Sequence, residues 1–535
     1  MSDALQHVEA DPRRLLRRRA RRAHERGELG KAVQNYTALL KNDPGNFDAL
    51  HGLGQIHLHN GQLDMALALF QSALKSNPDR ADGFSSLGVC FHLLRQIERA
   101  LASYDAGLRI DPLHPELLNR RGVAQLELGR PQQALEDFDR VLETKPDHFD
   151  ALGNRGNALL KLNRVAEALA AYDLVLRHAP EDVQLLTNRA VALRRLDRPQ
   201  EAVMSARRAL GRKPDFAQAR FVESVARLTL GDFSAWRDYE ARWSVGLLAS
   251  QRRNFAAPLW LGDAPVDGKT ILLHAEQGSG DTLQFIRYAS LLGGRGARVI
   301  LEVQPELKRL LAALPGVAAV IGRGESLPPF DLHCPLLSLP AAFGTELATI
   351  PADVPYIEAA GDDIALWRTR MPRQQPLVGL VWSGGRVHDN DANRSIRLSA
   401  FAPLLDLPDI SFVSLQHDVR EEDVSFLNAQ PSVFRFEQKF RNFADTAAVI
   451  ASLDAAIAVD TAVAHLAGAM GKPLFLLLPF AADFRWLRER QDTPWYPTAR
   501  LYRQTAFSNW NNAIADLGQD LMRNQIWATA HKLSA

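Results

Sequence analysis

The sequence predicts an α plus α/β fold: an N-terminal solenoid of helical hairpins, followed by two facing doubly wound, Rossmann-like α/β domains. Three observations carry that prediction. Six prolines, Pro44, Pro78, Pro112, Pro146, Pro180 and Pro214, follow one another at identical intervals of 34 residues, which is the mark of a repeat array. From about Leu261 the hydrophobic period shortens, and apolar runs of strand length alternate with helical stretches. A chain of 535 residues also exceeds what one hydrophobic core usually organises. The domains expected are residues 12–250, 258–358 and 373–530.

In the first region, small residues precede each proline at a fixed place: Ala32, Ala66, Ala100, Ala134, Ala168 and Ala202. Four residues later stand Tyr36, Phe70, Tyr104, Phe138, Tyr172 and Ala206. The physical reading is a helical hairpin. Gly54, Gly88, Gly122 and Gly156 let the first helix approach the second, the alanine admits the approach, the aromatic fills the space beside it, and proline ends the second helix. This spacing resembles the tetratricopeptide repeat (TPR). Six repeats are expected, followed by a degenerate capping repeat at Ala219–Trp243, which keeps helical spacing but loses the proline and the alanine register.

Hairpins of this kind bury their apolar faces only by stacking, so they are expected to form a superhelix with a groove suited to extended peptide. Asn154 and Asn188 share one position of adjacent first helices, with Asn119 one place earlier in its own repeat. Their amides are candidate peptide-binding groups, and a merely hydrophilic helix face is the other reading. Arg13, Arg14, Arg17, Arg18, Arg19, Arg21, Arg22 and Arg26 are read as the solvated face of an N-capping helix in preference to a site for an acidic partner.

In the second region the expected strands are Thr270–His274, Arg298–Val303, Val317–Ile321, Val378–Trp382, Ser411–Leu415, Ala455–Val459 and Leu474–Leu478. Runs apolar on both faces, each followed by a helix, imply parallel sheets covered on both sides. The proline-rich stretch Ala352–Pro376 separates two such groups, and ligands in sheets of this kind sit at the carboxyl ends of strands.

Those ends hold the candidate site residues. After the first strand, Gly278 and Gly280 are read as allowing a tight turn, and Asp281 and Thr282 open a helix. After a later strand, Asp460 and Thr461 cap a helix whose free N–H groups and positive dipole end suit a phosphate, with His465 one turn in. Plain helix capping and a packed histidine are the alternatives. The loop after the first strand of the second group offers Ser383, Gly384, Gly385, Arg394 and Ser395 as phosphate-binding donors. Gln416, at the end of its strand, is either a nucleotide contact or an ordinary strand-end residue.

Taken together and in this order, the Gly-x-Gly-Asp turn and the Asp-Thr-x-x-x-His segment resemble the heptosyltransferase-type glycosyltransferases, over about Lys269 to Gln504. The resemblance implies the two-domain GT-B fold, Asp281 as general base, and Asp460, Thr461 and His465 as ligands of the donor diphosphate. Ala462 stands where that family commonly has glycine, and the backbone N–H survives the change. A TPR array fused to a GT-B region is similar in architecture to protein O-GlcNAc transferases and to bacterial TPR-containing enzymes that glycosylate flagellin. The implied function is inverting transfer of a sugar from a nucleotide-sugar to an acceptor, a protein such as a flagellin-like chain held in the TPR groove.

A carboxylate at a helix N-terminus is stabilised as the anion, which weakens it as a base, so His274 and Glu276 are rivals to Asp281. The acidic pair Asp389 and Asp391 is read as a solvated loop, and metal-independent transfer with no cofactor is expected. Two other functions stay open: a TPR adaptor with a degenerate GT-B module, and a glycosyltransferase acting on a glycan or a lipid-linked saccharide.

Composition bounds the partners. Lys and Arg number 63 against 62 Asp and Glu, a net charge of +1, so no global field draws nucleic acid or an anionic membrane. Only Cys90 and Cys334 occur, which suits a reducing compartment. The start, with acids and a proline, is unlike a secretory signal, and Pro473–Ala482 is about half the ~20 apolar residues a spanning helix requires. A cytoplasmic protein, with oligomers through TPR faces left open, is the expectation.

Overall fold

The computed structural model describes residues 12–372, 376–386, 390–436 and 440–523. The chain divides into two compact units, Met1–Ala192 and Leu193–Ala535.

The first unit is built from helical hairpins: Pro12–Glu25 with Leu29–Asn42, Phe47–His59 with Leu63–Ser76, Ala81–Leu93 with Ile97–Ile110, Pro115–Glu127 with Pro131–Thr144, and Phe149–Lys161 with Val165–Leu176. The glycines act as their spacing suggests. A β-carbon on Gly54, Gly88, Gly122 or Gly156 would come within 2.5, 2.2, 2.6 or 2.6 Å of the rings of Phe70, Tyr104, Phe138 and Tyr172. Those rings are at most 1 % exposed, and Ala66, Ala100, Ala134 and Ala168 are fully buried beside them. The eight arginines between Arg13 and Arg26 are all exposed, while Ala20 and Ala23 face inward, as a solvated helix face requires.

Two further periodicities appear only in three dimensions. The turn inside each hairpin places one residue in the left-handed region: Gly27, Gly61, Arg95, Gly129, Asn163, Asp197 and Gly231 all have φ between 53° and 81°. Ion pairs also recur at the repeat interval. Arg121 reaches Asp105 at 2.7 Å, Arg155 reaches Asp139 at 2.6 Å and Arg189 reaches Asp173 at 2.6 Å, each joining the second helix of one repeat to the first helix of the next. The three candidate asparagines are used in a similar way. The Asn154 amide donates to Asn119 Oδ1 at 3.1 Å and that of Asn188 donates to Asn157 Oδ1 at 2.9 Å, so they link neighbouring repeats to one another.

The second unit carries helices Pro199–Arg212 and Ala217–Thr229, then two wholly parallel sheets. The strands are β1 Thr270–His274, β2 Arg298–Val303, β3 Val317–Gly322 and β4 Leu332–Pro335, then β5 Leu377–Val381, β6 Ser411–Ser414, β7 Val433–Phe434, β8 Ala455–Val459, β9 Leu474–Leu478 and β10 Ala499–Arg503. The first sheet has the order β3-β2-β1-β4 and the second β10-β9-β8-β5-β6-β7. Counted from β5, the second sheet runs third, second, first, fourth, fifth, sixth, which is the doubly wound order with its switch point between β5 and β8. The first sheet begins the same pattern, with its switch point between β1 and β4.

Seven strands lie within one residue of their expected ends; β4, β7 and β10 were not expected. β7 is two residues long, β4 ends in a proline, and β10 lies at a sheet edge, where Arg500 breaks the apolar run. The stretch Ala352–Pro376 holds a helix, Gly361–Arg368, whose Trp367 indole donates to Asp445 at 3.3 Å.

Candidate functional site

The site is built where two short helices begin. Ser279–Phe285 follows β1, and Ala462–Ala469 follows β8 at the switch point of the second sheet. Their N-termini touch: a β-carbon on Gly280 would lie 2.9 Å from His465 Cδ2 and 3.3 Å from the Ala462 α-carbon. Gly278 has an ordinary φ of −75° and Gly280 is helical, so a tight turn is not what requires glycine here. Close approach of the two helices is, at Gly280.

Between them lies a cleft of about 720 Å³ lined from both sides, by Gly278 to Asp281 on one and by Asp460 to Ala462, His465 and Arg394 on the other. Thr461 is the extended N-cap residue, and its hydroxyl makes no hydrogen bond. The first-turn amides of a helix have no intrahelical acceptor, so Thr461 and Ala462 present donors and the positive dipole end to the cleft. The Asp460 backbone oxygen accepts from Arg394 Nη1 at 2.9 Å, and its carboxylate stands 3.8 Å from His465 Nε2. Burial, helped by the nearby Asp483 charge, pushes the Asp460 carboxyl up to about 6. His465 stacks on Trp486 at 5.3 Å and shares a 2.9 Å hydrogen bond with the Tyr496 hydroxyl. Burial, reinforced by the positive Arg485, lowers its pKa to about 3, so the ring is neutral near pH 7.

Asp281 has both oxygens engaged. Oδ2 accepts the Gly278 N–H at 2.9 Å, and Oδ1 is paired with Arg485, which is also held by Asp483 at 2.7 Å. Gln504 also lines the cleft. Its Oε1 accepts the Phe480 N–H at 2.9 Å, while its Nε2 is buried without a partner.

The remaining expected residues divide. Arg394 lines the cleft and lies over Gly384, where a β-carbon would meet Nη2 at 2.7 Å. Ser383, Ser395 and Gln416 do not line it: Ser395 and Gln416 brace neighbouring groups, and the Ser383 hydroxyl is buried without a partner. Gln416 accepts from the amides of Trp382 and Ser383 and donates to the carbonyls of Ser383 and Asp418. Ser395 donates to Asp391 at 2.7 Å and accepts from Gly384 N at 3.0 Å. Asp391 is not a solvated loop residue, because Arg420 holds it at 2.5 Å and it is 8 % exposed. Asp389 lies outside the described residues. Among the described residues no group of three or more His, Cys, Asp or Glu is placed to hold a metal ion.

The two rivals to Asp281 lie elsewhere. Glu276 is buried in a two-point ion pair with Arg242, at 3.0 and 3.1 Å, and also accepts the Leu337 N–H. His274 is buried against His333 at 3.2 Å, and burial lowers its pKa to about 3. Neither lines the cleft.

Arg485, Asp483, Gln504 and the repeat residues Arg194 and Arg195 line the cleft without having been singled out in the sequence. Arg485 lies beyond a loop after β9 and Gln504 follows β10, a strand not expected from the sequence, so the strand order was needed to place them.

Comparison with known proteins bears on the repeats first. The tetratricopeptide repeat family model matches residues 17–81, 60–115 and 119–183. These are tetratricopeptide repeats. Protein FlbA of Caulobacter vibrioides (strain ATCC 19089 / CIP 103742 / CB 15) is 26% identical over 332 residues, 57% of this chain and 55% of FlbA. The chain thus spans about half the length of the curated relative it matches. Similar solved structures include a tetratricopeptide repeat protein from Parabacteroides merdae ATCC 43184, with 21% identity, 44% of this chain and 93% of that chain covered, and a TM-score of 0.36. Another is YrrB, described as a TPR protein with an unusual peptide-binding site, with 19% identity, 35% and 97% covered, and a TM-score of 0.31. No helix among the described residues is long and apolar enough to cross a membrane.

Proposed function

We propose that this chain is a glycosyltransferase of the GT-B type that moves a sugar from a nucleotide-sugar donor to an acceptor protein recruited by its TPR repeats, without a metal and with inversion. One observation carries the reading. Two helix N-termini, each at the carboxyl end of a parallel strand, converge on a single cleft and bring Asp281 opposite Thr461, Ala462 and His465.

Transfer from a nucleoside diphosphate needs donors for the leaving diphosphate and a base for the acceptor hydroxyl. The amides that open Ala462–Ala469, the Thr461 hydroxyl, Arg394 and the unpartnered Gln504 Nε2 suit the first task. The neutral His465 imidazole adds a hydrogen-bonding group and no charge. Asp281 suits the second, taking the proton of the attacking hydroxyl while the bond from the anomeric carbon to the diphosphate breaks on the opposite face. A single in-line displacement inverts the anomeric centre. TPR repeats suit an extended protein segment as acceptor, and a flagellin-like chain is the first to try.

The test is a thermal-shift panel of UDP-, GDP-, ADP-, TDP- and CMP-sugars on the intact protein and on an Asp460→Ala, His465→Ala double variant. Selective stabilisation of the wild type that the variant lacks is expected. No shift with any donor, in folded protein, would turn the reading toward a TPR adaptor.

A further inference from the structure

Asp281 is fastened at both oxygens, and the group that fastens Oδ1 comes from the opposite wall of the cleft. Arg485 sits on the turn Phe484–Trp486 beyond β9, at 8 % exposure. One of its amino groups pairs with Asp281, and the other is held by Asp483 at 2.7 Å. Its Nε–H is buried and has no acceptor. A guanidinium has a rigid fork of donors suited to two-point contact with phosphate or carboxylate, and here the fork is divided between two carboxylates with one donor unused. Oδ1 is thus occupied by the guanidinium, and it can face an acceptor hydroxyl only when that contact is given up.

The same cleft contains the N-terminus of Ala462–Ala469 and the unpartnered Gln504 Nε2. Two buried donors without acceptors, Arg485 Nε and Gln504 Nε2, thus belong to residues that line one cleft. A diphosphate carries more charge than a carboxylate and offers oxygens to both.

We infer that Arg485 is a latch: it masks Asp281 by ion pairing until the diphosphate of a nucleotide-sugar, seated at the N-terminus of Ala462–Ala469, takes the guanidinium and releases the carboxylate to accept a proton. This rests on the reading of the cleft as a nucleotide-sugar site. Arg485 is therefore a positioning residue with two partners in turn, and the base is available only when a donor is bound.

The latch makes Asp281 and a diphosphate competitors for one side chain, which a double-mutant cycle detects without knowledge of the acceptor. Dissociation constants are measured by calorimetry for UDP, GDP, ADP and TDP on wild type, Asp281→Asn, Arg485→Met and the double variant. Asp281→Asn is expected to tighten the best diphosphate about tenfold and Arg485→Met to weaken it about tenfold. The double variant should bind like Arg485→Met, because freeing a side chain that is absent gains nothing. Equal tightening by Asp281→Asn with and without Arg485 would overturn the latch, since that result reports only the loss of a negative charge. If Arg485→Met fails to fold, Arg485→Lys serves: it keeps the charge and loses the fork, and wild-type affinity in it would also overturn the proposal. Failure of all four diphosphates to bind wild type and Asp281→Asn alike would instead overturn the reading of the cleft itself.

Discussion

Gly280 packs directly on His465: a β-carbon at the glycine would stand 2.9 Å from the imidazole Cδ2. The contact joins the start of the helix after β1 to the start of the helix after β8, and it leaves no room for a methyl group. Gly280→Ala is therefore expected to cost about 1–3 kcal/mol by overpacking and to weaken diphosphate binding by pushing His465 and Ala462 aside. Gly278→Ala, at an ordinary φ of −75°, should cost no more than about 1 kcal/mol. Melting curves with and without a diphosphate separate the two.

Asp281 and Glu276 should behave in opposite ways. Asp281→Asn takes one of two carboxylates from the buried Arg485, which keeps Asp483, so it is expected to cost less stability than the loss of Glu276 and to lower sugar transfer about 10²–10⁴-fold, the usual contribution of a general base. Glu276→Gln leaves Arg242, which is 0 % exposed, without its two-point partner, and should cost about 3 kcal/mol of stability. The readouts are a transfer assay and chemical unfolding, and a Glu276 variant that is stable yet inactive would contradict the assignment.

His465 should impose an acid limit on stability. Its folded pKa of about 3 lies below the ordinary histidine value of 6.5, so the unfolded chain binds a proton that the folded chain refuses. Stability from this group is full above about pH 6.5 and is lost as pH falls toward 3, about 2 kcal/mol between pH 7.5 and 5. In His465→Gln that loss is absent, so the gap in melting temperature between wild type and variant should shift against the wild type as pH is lowered.

The left-handed turn residues give a stabilising substitution. Arg95 holds φ of 60° at the place where Gly61 and Gly129 hold 73° and 70°. Left-handed backbone costs a side chain about 1 kcal/mol that glycine avoids, so Arg95→Gly should raise the unfolding midpoint. Gly129→Ala has nothing within 4 Å to clash with, and should lower it by a comparable amount through backbone strain alone.

Legibility followed the physics of each element. The repeats were readable because proline, alanine and the aromatic each do one local job at a fixed offset. The strands were readable where both faces are covered, and failed at β10, where an edge strand carries Arg500 outward. The turn register was hidden because Arg95, Asn163 and Asp197 replace glycine in three of its seven places. In the cleft, Asp281, Asp460, Thr461 and His465 could be named because two motifs beyond strand ends together resemble a glycosyltransferase pattern. Arg485 and Gln504 became legible only with the strand order, which sets β9 beside β8 and β10 beside β9. The ion pair of Glu276 was not legible because nothing in the sequence links it to Arg242.

The ion pairs between repeats share one grammar. Arg121 with Asp105, Arg155 with Asp139 and Arg189 with Asp173 are the same pair written three times. Excise residues 107–140, one interval of 34, and Asp105 would meet Arg155 in the register that Arg121 had occupied. Between Asp105 and Arg189 the array can thus lose or gain a whole repeat while each junction of that stretch still finds its counter-charge. The number of repeats is free to drift by duplication and deletion in the course of evolution without any residue of the cleft being altered.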